Sequence, residues 1–340
     1  SKAVAGCAVA FHTKRHRASL AVFATAFSLI GLAATAGAQN KFPDKPVRIV
    51  VPYLAGGSID MVARLIGTKL SPRLGVPVVI DNRAGAGGTT GSDAVAKSDP
   101  DGYTLLFTAQ GPIATSVQVL KSVPYDPETA FEPVSMVLTM PNVFLVHPSV
   151  PFRSVQEFIG YAKANPGKLN YGSQGVGTTP HLTGAMVSNA LDIDMVHVPY
   201  RGFPPLLADV RTGRVQMMFV DTINALPQMK GDELLALAVS GERRSSAIPD
   251  VPTFKELGHE NLVAEVYFAF YAPRGTPLAL REQLAGEIAQ ILKKPEVVKR
   301  LTDLGVDISG AGPETLGQRM RQEFDQWRTI IRGMGLYKAQ

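Results

Sequence analysis

The chain has 340 residues, with 34 basic and 29 acidic side chains, a formal net charge of +5 and one cysteine, Cys7. The first 38 residues hold Lys2, Lys14, Arg15 and Arg17 and no acid, so the other 302 set 30 basic against 29 acidic side chains, a net of +1. That balance argues against a nucleic-acid partner. With Cys7 inside the first 38 residues, the remainder can form no disulfide and offers no thiol for catalysis.

Those first residues read as an export signal. Lys14-Arg15-His16-Arg17 is a basic segment, residues 18–35 are apolar and small, and Ala36-Gly37-Ala38 fits the small-residue cleavage rule. Cleavage is expected after Ala38, with domain 1–38 removed and a periplasmic location for the rest. No later stretch is long and apolar enough to span a membrane. The remaining length suggests about two domains.

The remaining chain alternates strand, loop and helix. Val47–Tyr53 reads as a strand, Leu54-Ala55-Gly56-Gly57-Ser58 as a loop, and Ile59–Leu70 as a helix with Ser58 as its N-cap and Asp60 in its first turn. Val76–Asp81 and Tyr103–Thr108 read as further strands, with a helix through Lys97 between them and a short one after Gln110-Gly111-Pro112. Phe131–Thr139 and Asn142–His147 read as two strands meeting at Pro141. A second series starts at Ser154, a capping box opening a helix to Asn165. Strand Leu169–Ser173, helix Thr179–Leu191, strand Met195–Tyr200, helix Leu206–Thr212, strand Val215–Val220 and strand Leu234–Ser240 follow. After strand Val266–Ala272 come three helices, Pro277–Leu292, Pro295–Leu304 and Pro313–Gly333, each with proline near its first position. Trp327 and Phe324 read as core. The alternation implies an α/β fold of two lobes, each with a mostly parallel sheet flanked by helices.

The most informative stretch is Tyr171–Leu182, YGSQGVGTTPHL: a strand end, a Gly/Ser/Thr loop and a helix start. Thr178 or Thr179 can cap that helix, and Pro180 fits its first turn. The first N–H groups of such a helix lack internal partners and lie at the positive end of its dipole, which suits a carboxylate or phosphate. An ordinary, well-capped βα turn has the same appearance. The Gly56-Gly57-Ser58 loop is of the same kind, and two such helix starts suggest two lobes facing one cleft. Several side chains remain open between two roles. His181 orders the loop or acts chemically, and Arg201 pairs with a carboxylate or sits in solvent. Asp221 accepts from a ligand amine or hydroxyl or caps the next helix, and Tyr53 and Tyr200 line a cleft or pack at its rim.

Catalytic and cofactor readings fare poorly. Gly85-Ala86-Gly87-Gly88-Thr89-Thr90 has Thr90 where the dinucleotide fingerprint needs glycine, and neither a phosphate loop nor a nucleophile elbow is found. The histidines His147, His181, His197 and His259 form no metal-ligand spacing. The chain is expected to be no enzyme and to need no cofactor or metal.

Taken in order, PYLAGGSID at 52–60, GAGG at 85–88 with PDGYT at 100–104, SQGVGT at 173–178 with His181-Leu182, VPYRG at 198–202 and APRGTP at 272–277 resemble the periplasmic substrate-binding proteins of tripartite tricarboxylate transporters, the Bordetella uptake gene family. The resemblance implies a type II periplasmic-binding-protein fold with a two-crossing hinge. Lobe 1 would be 39–141 plus 266–340 and lobe 2 would be 142–265. It implies capture of a small carboxylate through Tyr53, Gly57, Ser58 and Asp60 on one side and Ser173, Gly175, Gly177, Thr178 and His181 on the other. Tyr200, Arg201, Gly202 and Asp221 match further family positions. Gln110, Phe203 and Thr222 are places where ligand choice is expected. The partners implied are the carboxylate and the membrane transporter subunits, with the protein a monomer. The alternatives are a sensory component that docks on a receptor ectodomain, and an exported hydrolase.

Overall fold

The computed structural model describes residues 42–340; the expected signal segment, its cleavage site and Cys7 lie outside the described residues. The first series is β1 (Val47–Val51), α1 (Ser58–Leu74), β2 (Val78–Asn82), α2 (Thr89–Ala96), β3 (Thr104–Thr108), a wide helical turn at Gly111–Thr115 and α3 (Ser116–Val119). A long strand, β4 (Phe131–Val146), leads into the second series. That series is α4 (Val155–Ala164), β5 (Leu169–Ser173), α5 (Thr179–Leu191), β6 (Met195–Pro199), α6 (Phe203–Arg211), β7 (Met217–Asp221), α7 (Thr222–Ala225) and β8 (Leu235–Val239). The chain closes with β9 (Glu265–Pro273), α8 (Leu278–Leu292), α9 (Pro295–Thr302), β10 (Asp307–Ala311) and α10 (Pro313–Gly333).

The strands follow the order β2-β1-β3-β9-β4-β7-β5-β6, with β10 and β8 also on β4. Two sheets share this path. In the first, β1 runs parallel to β2 and β3, and β9 is antiparallel to both β3 and β4. In the second, β5 runs parallel to β6 and β7, and β4 is antiparallel to β7 and β8. Each lobe therefore repeats one plan: three parallel strands, then two antiparallel ones. The sheets are mixed rather than mostly parallel, because the crossing strands β4 and β9 enter against the βα direction.

Pro141 does not end a strand, contrary to the expectation of two strands meeting there. Up to Pro141, β4 pairs with β9; from Asn142 it pairs with β7 and β8. The proline, which has no N–H to donate, stands where the strand changes partners. β10 was not expected. Its sequence, DISGA, is polar and contains Gly310, and it is recruited only as an edge strand on β4. Helix α6 starts at Phe203, ahead of the expected Leu206, because Pro204 and Pro205 sit in its first turn, where their missing N–H groups have no helical partner to lose.

β3 is buried throughout and β1 is buried except at Arg48, as strands covered by helices on both sides should be. The second lobe's core centres on Phe144, whose ring lies 4.7 Å from that of Phe219 and 4.9 Å from that of Phe158. Trp327 and Ile331 of α10 belong to this same core, so the C-terminal helix reaches across from the first sheet. Its indole N–H donates to Glu323 at 2.8 Å.

At the start of α4, Ser154 Oγ accepts from the Glu157 N–H at 3.2 Å, and Glu157 reaches back to the Arg153 N–H at 2.6 Å. Ser154→Ala should cost about 1 kcal/mol of stability, read as a lower urea midpoint with unchanged slope. An unchanged midpoint would show that the cap contributes nothing.

Candidate functional site

The loop after β1 carries Tyr53 to Ser58. Gly57, with extended backbone, is the N-cap of α1, and Ser58 is its first residue rather than the expected cap. The Ser58 hydroxyl is turned away from its own helix. It donates to Asp221 Oδ2 at 2.8 Å and accepts from Asn224 Nδ2 at 3.1 Å. Asp60 folds back: its Oδ2 accepts from the Gly56 N–H at 3.0 Å and from Arg64 Nε at 3.1 Å. Its Oδ1 lies 2.9 Å from Arg64 Nη2 without a well-directed hydrogen bond. Burial disfavours the Asp60 charge, but hydrogen bonds from Arg64, Gly56 and Asn82 and the Arg64 charge hold its carboxyl below the usual range. Asp60 thus sets the shape of the loop.

From the second lobe comes the loop after β5. Ser173 Oγ is 2.7 Å from His197 Nε2, accepts from the Gly175 N–H at 3.2 Å and lies 3.0 Å from the Gly175 carbonyl. Thr178 is the N-cap of α5, and its hydroxyl donates to the Gly175 carbonyl at 2.8 Å. The Gly177 N–H donates to His181 Nδ1 at 3.0 Å, so that nitrogen carries no proton. The His181 and His197 rings stack at 3.8 Å. Burial pushes His181 down to about 4; burial, then the neighbouring His181, pushes His197 down to about 3. His181 is a neutral brace of the loop.

Between these loops lies a cavity whose wall includes Tyr53, Ser58, Thr178, Thr179, Gly202 and Asp221. The room inside it for water-sized groups is about 50 Å³, the space of a few waters. The first turns of α1, α5, α6 and α7 all reach its wall. Asp221 caps α7, accepting from the Asn224 N–H at 3.0 Å and from Asn224 Nδ2 at 2.9 Å. Burial holds the Asp221 carboxyl above its usual range despite hydrogen bonds from Asn224 and Ser58. Of the two roles left open for Asp221, the structure shows the capping one, and the residue also lines the cavity.

Of the expected residues, Tyr53, Gly57, Ser58, Asp60, Thr178, Gly202 and Asp221 line the cavity. Tyr53, Gly175, Tyr200 and Arg201 line an adjoining pocket beside Gly85–Gly88. There Tyr200 donates to Asp209 at 2.7 Å, and burial together with that carboxylate pushes its phenol up to about 12. Ser173, Gly177 and His181 stand behind the loop and shape it. Gln110 is not in the cavity wall. Its amide donates to the Glu265 carbonyl at 2.8 Å and accepts from the Tyr267 N–H at 3.3 Å, which ties β9 where it enters the first sheet. Thr222 is likewise turned away, toward the Gly305 carbonyl, whereas Phe203 does line the cavity. Sequence reasoning missed Asn224, Gln174, Val266 and Phe268. For Asn224 a signal existed, because it lies three residues after a capping aspartate, where its own N–H must meet that side chain.

Two α/β lobes of repeated plan, with one cavity between helix N-termini, define the architecture of a two-lobed periplasmic binding protein. Residues 62–336 match the family model described as the tripartite tricarboxylate transporter family receptor, and the chain belongs to that family. That family is one of solute receptors rather than of enzymes. The chain is similar to BugT of Bordetella pertussis, at 33% identity over 317 residues, 93% of this chain and 97% of that protein. Among solved structures, R. palustris Rpa4515 with adipate superposes with a TM-score of 0.83 at 33% identity, covering 86% of this chain and 98% of that one. MatC of Rhodopseudomonas palustris with bound malate gives 0.82 at 31% identity, covering 85% and 100%. Among the described residues no helix is long and apolar enough to cross a membrane, and no cluster of side chains could hold a metal ion.

Proposed function

We propose that this chain captures a small carboxylate outside the cytoplasmic membrane and delivers it to the membrane subunits of a tripartite tricarboxylate-type transporter. The observation that carries the reading is the meeting of the first turns of α1 and α5, one from each lobe, in a single cavity with no lysine or arginine in its wall. Free N–H groups and helix dipoles are then what an anion would find, and they hold a carboxylate without the slow release that a buried ion pair would impose. The relatives solved with adipate and with malate support the carboxylate part of the reading.

The lobes are taken as 39–141 plus 266–340 and 142–265, with the hinge at the crossings near Pro141 and Glu265. The change of partners in β4 at Pro141 and the Gln110 brace on Glu265 favour those points. Closure about them would form the Ser58–Asp221 bond.

Thermal unfolding against a panel of citrate, malate, adipate, acidic amino acids and aromatic acids tests the capture step. A true ligand should add about 2.7 kcal/mol at a hundred times its dissociation constant and compact the protein in small-angle scattering. A panel without a single stabilising acid, on protein shown by mass spectrometry to carry none already, would sink the reading. Delivery is tested separately, since removing the chain from its host should abolish uptake of the same acid.

A further inference from the structure

A groove runs along α10, outside the ligand cavity. Its room for water-sized groups is about 490 Å³, against about 50 Å³ in that cavity. One bank is a stripe of the helix: Gly317, Met320, Arg321, Phe324 and Asp325 recur at the three- and four-residue spacing of one helical face. The other bank is the segment 127–133, with Arg274 just after β9. Gly317 lets the banks meet at one end, where a Cβ would stand 3.3 Å from Pro133 Cγ. The floor is apolar. Ile113 and Phe131 are buried beneath it, and Met320 and Phe324 are half-buried. Phe324, expected in the core with Trp327, instead lies at this surface, with the Arg328 guanidinium 4.6 Å from its ring centre.

The charges on the rim are paired unequally. Glu128 pairs with Arg328 at 3.1 Å and Glu132 with Arg281 at 3.3 Å, and Asp325 lies 3.7 Å from Arg328. Arg274 and Arg321 are exposed, and neither side chain has an ion pair or hydrogen bond among the described residues. The acids are thus already met, and two guanidinium forks are left to receive carboxylates from outside. Arginine, methionine and aromatic surface around a hollow is the composition of a protein-docking site. From Gly317 to Asp325 the stripe runs about 12 Å, the length of about four residues of extended chain.

Helix α10 also ties the groove to both lobes. Leu316 and Met320 pack on the first sheet's core, whereas Trp327 and Ile331 lie in the second's. An occupant lying on α10 therefore holds an element that both cores share.

We infer that this groove docks an acidic segment of the transporter's membrane subunits. Its carboxylates meet Arg274 and Arg321, and a large apolar side chain beside them covers Met320 and Phe324. This rests on the delivery reading and deepens it, by naming the surface that makes the contact and the chemistry it selects.

The test is binding of the chain to the membrane subunits of its transporter, held in lipid nanodiscs and measured by interferometry. Arg274→Glu combined with Arg321→Glu should weaken binding at least about tenfold, because reversed rim charges now face the segment's acids. An unchanged melting temperature and an unchanged response to the acid panel should show that fold and capture are intact. Lys163→Glu with Lys168→Glu makes the same change of charge on exposed second-lobe lysines and should leave binding within about twofold. A photo-reactive benzoylphenylalanine in place of Thr129, on the groove's bank, should cross-link to a membrane-subunit peptide that contains Asp or Glu. Wild-type affinity in folded Arg274→Glu/Arg321→Glu would overturn the inference and leave delivery standing. An equal loss in the lysine control would reduce the effect to overall charge and overturn it too. Cross-linking only to a second copy of the chain would assign the groove to self-association instead. No binding of the wild-type chain to the nanodiscs, with or without the acids, would sink delivery and this inference together.

Discussion

Gly177→Ala should weaken ligand binding about a hundredfold and leave the chain folded. Gly177 has φ +75°, and a Cβ there would overlap Ser116 Cα, at the start of α3 after the first sheet's β3. A backbone atom cannot be moved aside by a change of rotamer. The overlap is relieved only by drawing the β5–α5 loop away from Ser116, which opens the cavity. Overpacking of this kind costs about 1–3 kcal/mol, and a contact this short belongs at the upper end. About 2.8 kcal/mol corresponds to the hundredfold loss. The left-handed backbone adds about 1–2 kcal/mol, but open and closed forms share that cost. Gly75→Ala is the control: Gly75 has φ +72° and nothing within 4 Å of a built Cβ. It should lose the same backbone stability and keep full affinity. Small-angle scattering should show Gly177→Ala open with ligand in excess. Wild-type affinity in Gly177→Ala would mean that the short Ser116 contact is no condition of the bound state.

The same contact shows what was legible in the sequence. The loops at 54–58 and 173–178 could be placed because glycine, proline and capping residues mark the ends of βα units directly. Leu169–Ser173, Thr179–Leu191 and Pro313–Gly333 have the expected bounds. Partners distant in sequence could not be read. Nothing in Ser116 says that it will meet Gly177, and nothing in Ser58 says that its hydroxyl will leave its own helix for Asp221, 163 residues on. Gln110 was expected to choose the ligand because the family resemblance puts it at a variable position; it is fully buried and both ends of its amide are held by β9. Val266 and Phe268 enter the cavity wall from β9, whose sequence after Glu265 is apolar and reads only as core. Local chemistry fixes where a loop starts, whereas the pairing of crossing strands decides which loops meet.

Acid should begin to destabilise the folded chain below about pH 6.5, before it protonates most carboxylates. The stacked pair His181 and His197 is held neutral, with His181 pushed down from 6.5 to about 4 and His197 to about 3 by burial. Between about pH 6.5 and those values the unfolded chain binds protons that the folded chain does not. Stability therefore rises with pH across this window: it is complete above the unfolded value and is lost as pH falls toward the folded ones. One shift of this size is worth about 3 kcal/mol, and the second histidine adds less than its own share because the two rings repel when charged. Chemical denaturation at about pH 7.5 and about pH 4.5 should therefore differ by roughly 3–5 kcal/mol. Asp221 and Glu265, whose carboxyls burial raises, act in the opposite sense, since their protonation in acid relieves the folded state. A double variant separates the two contributions. His181→Asn keeps an acceptor for the Gly177 N–H, and His197→Phe keeps a stacking ring. If the histidines are the cause, this variant flattens the acid limb and exposes the opposite slope of the acids; if the limb survives unchanged, the acid sensitivity originates elsewhere. The same neutrality matters for the cavity. A protonated His181 could no longer accept from the Gly177 N–H, and the loop that carries Thr178 and the start of α5 would lose the bond that holds its turn.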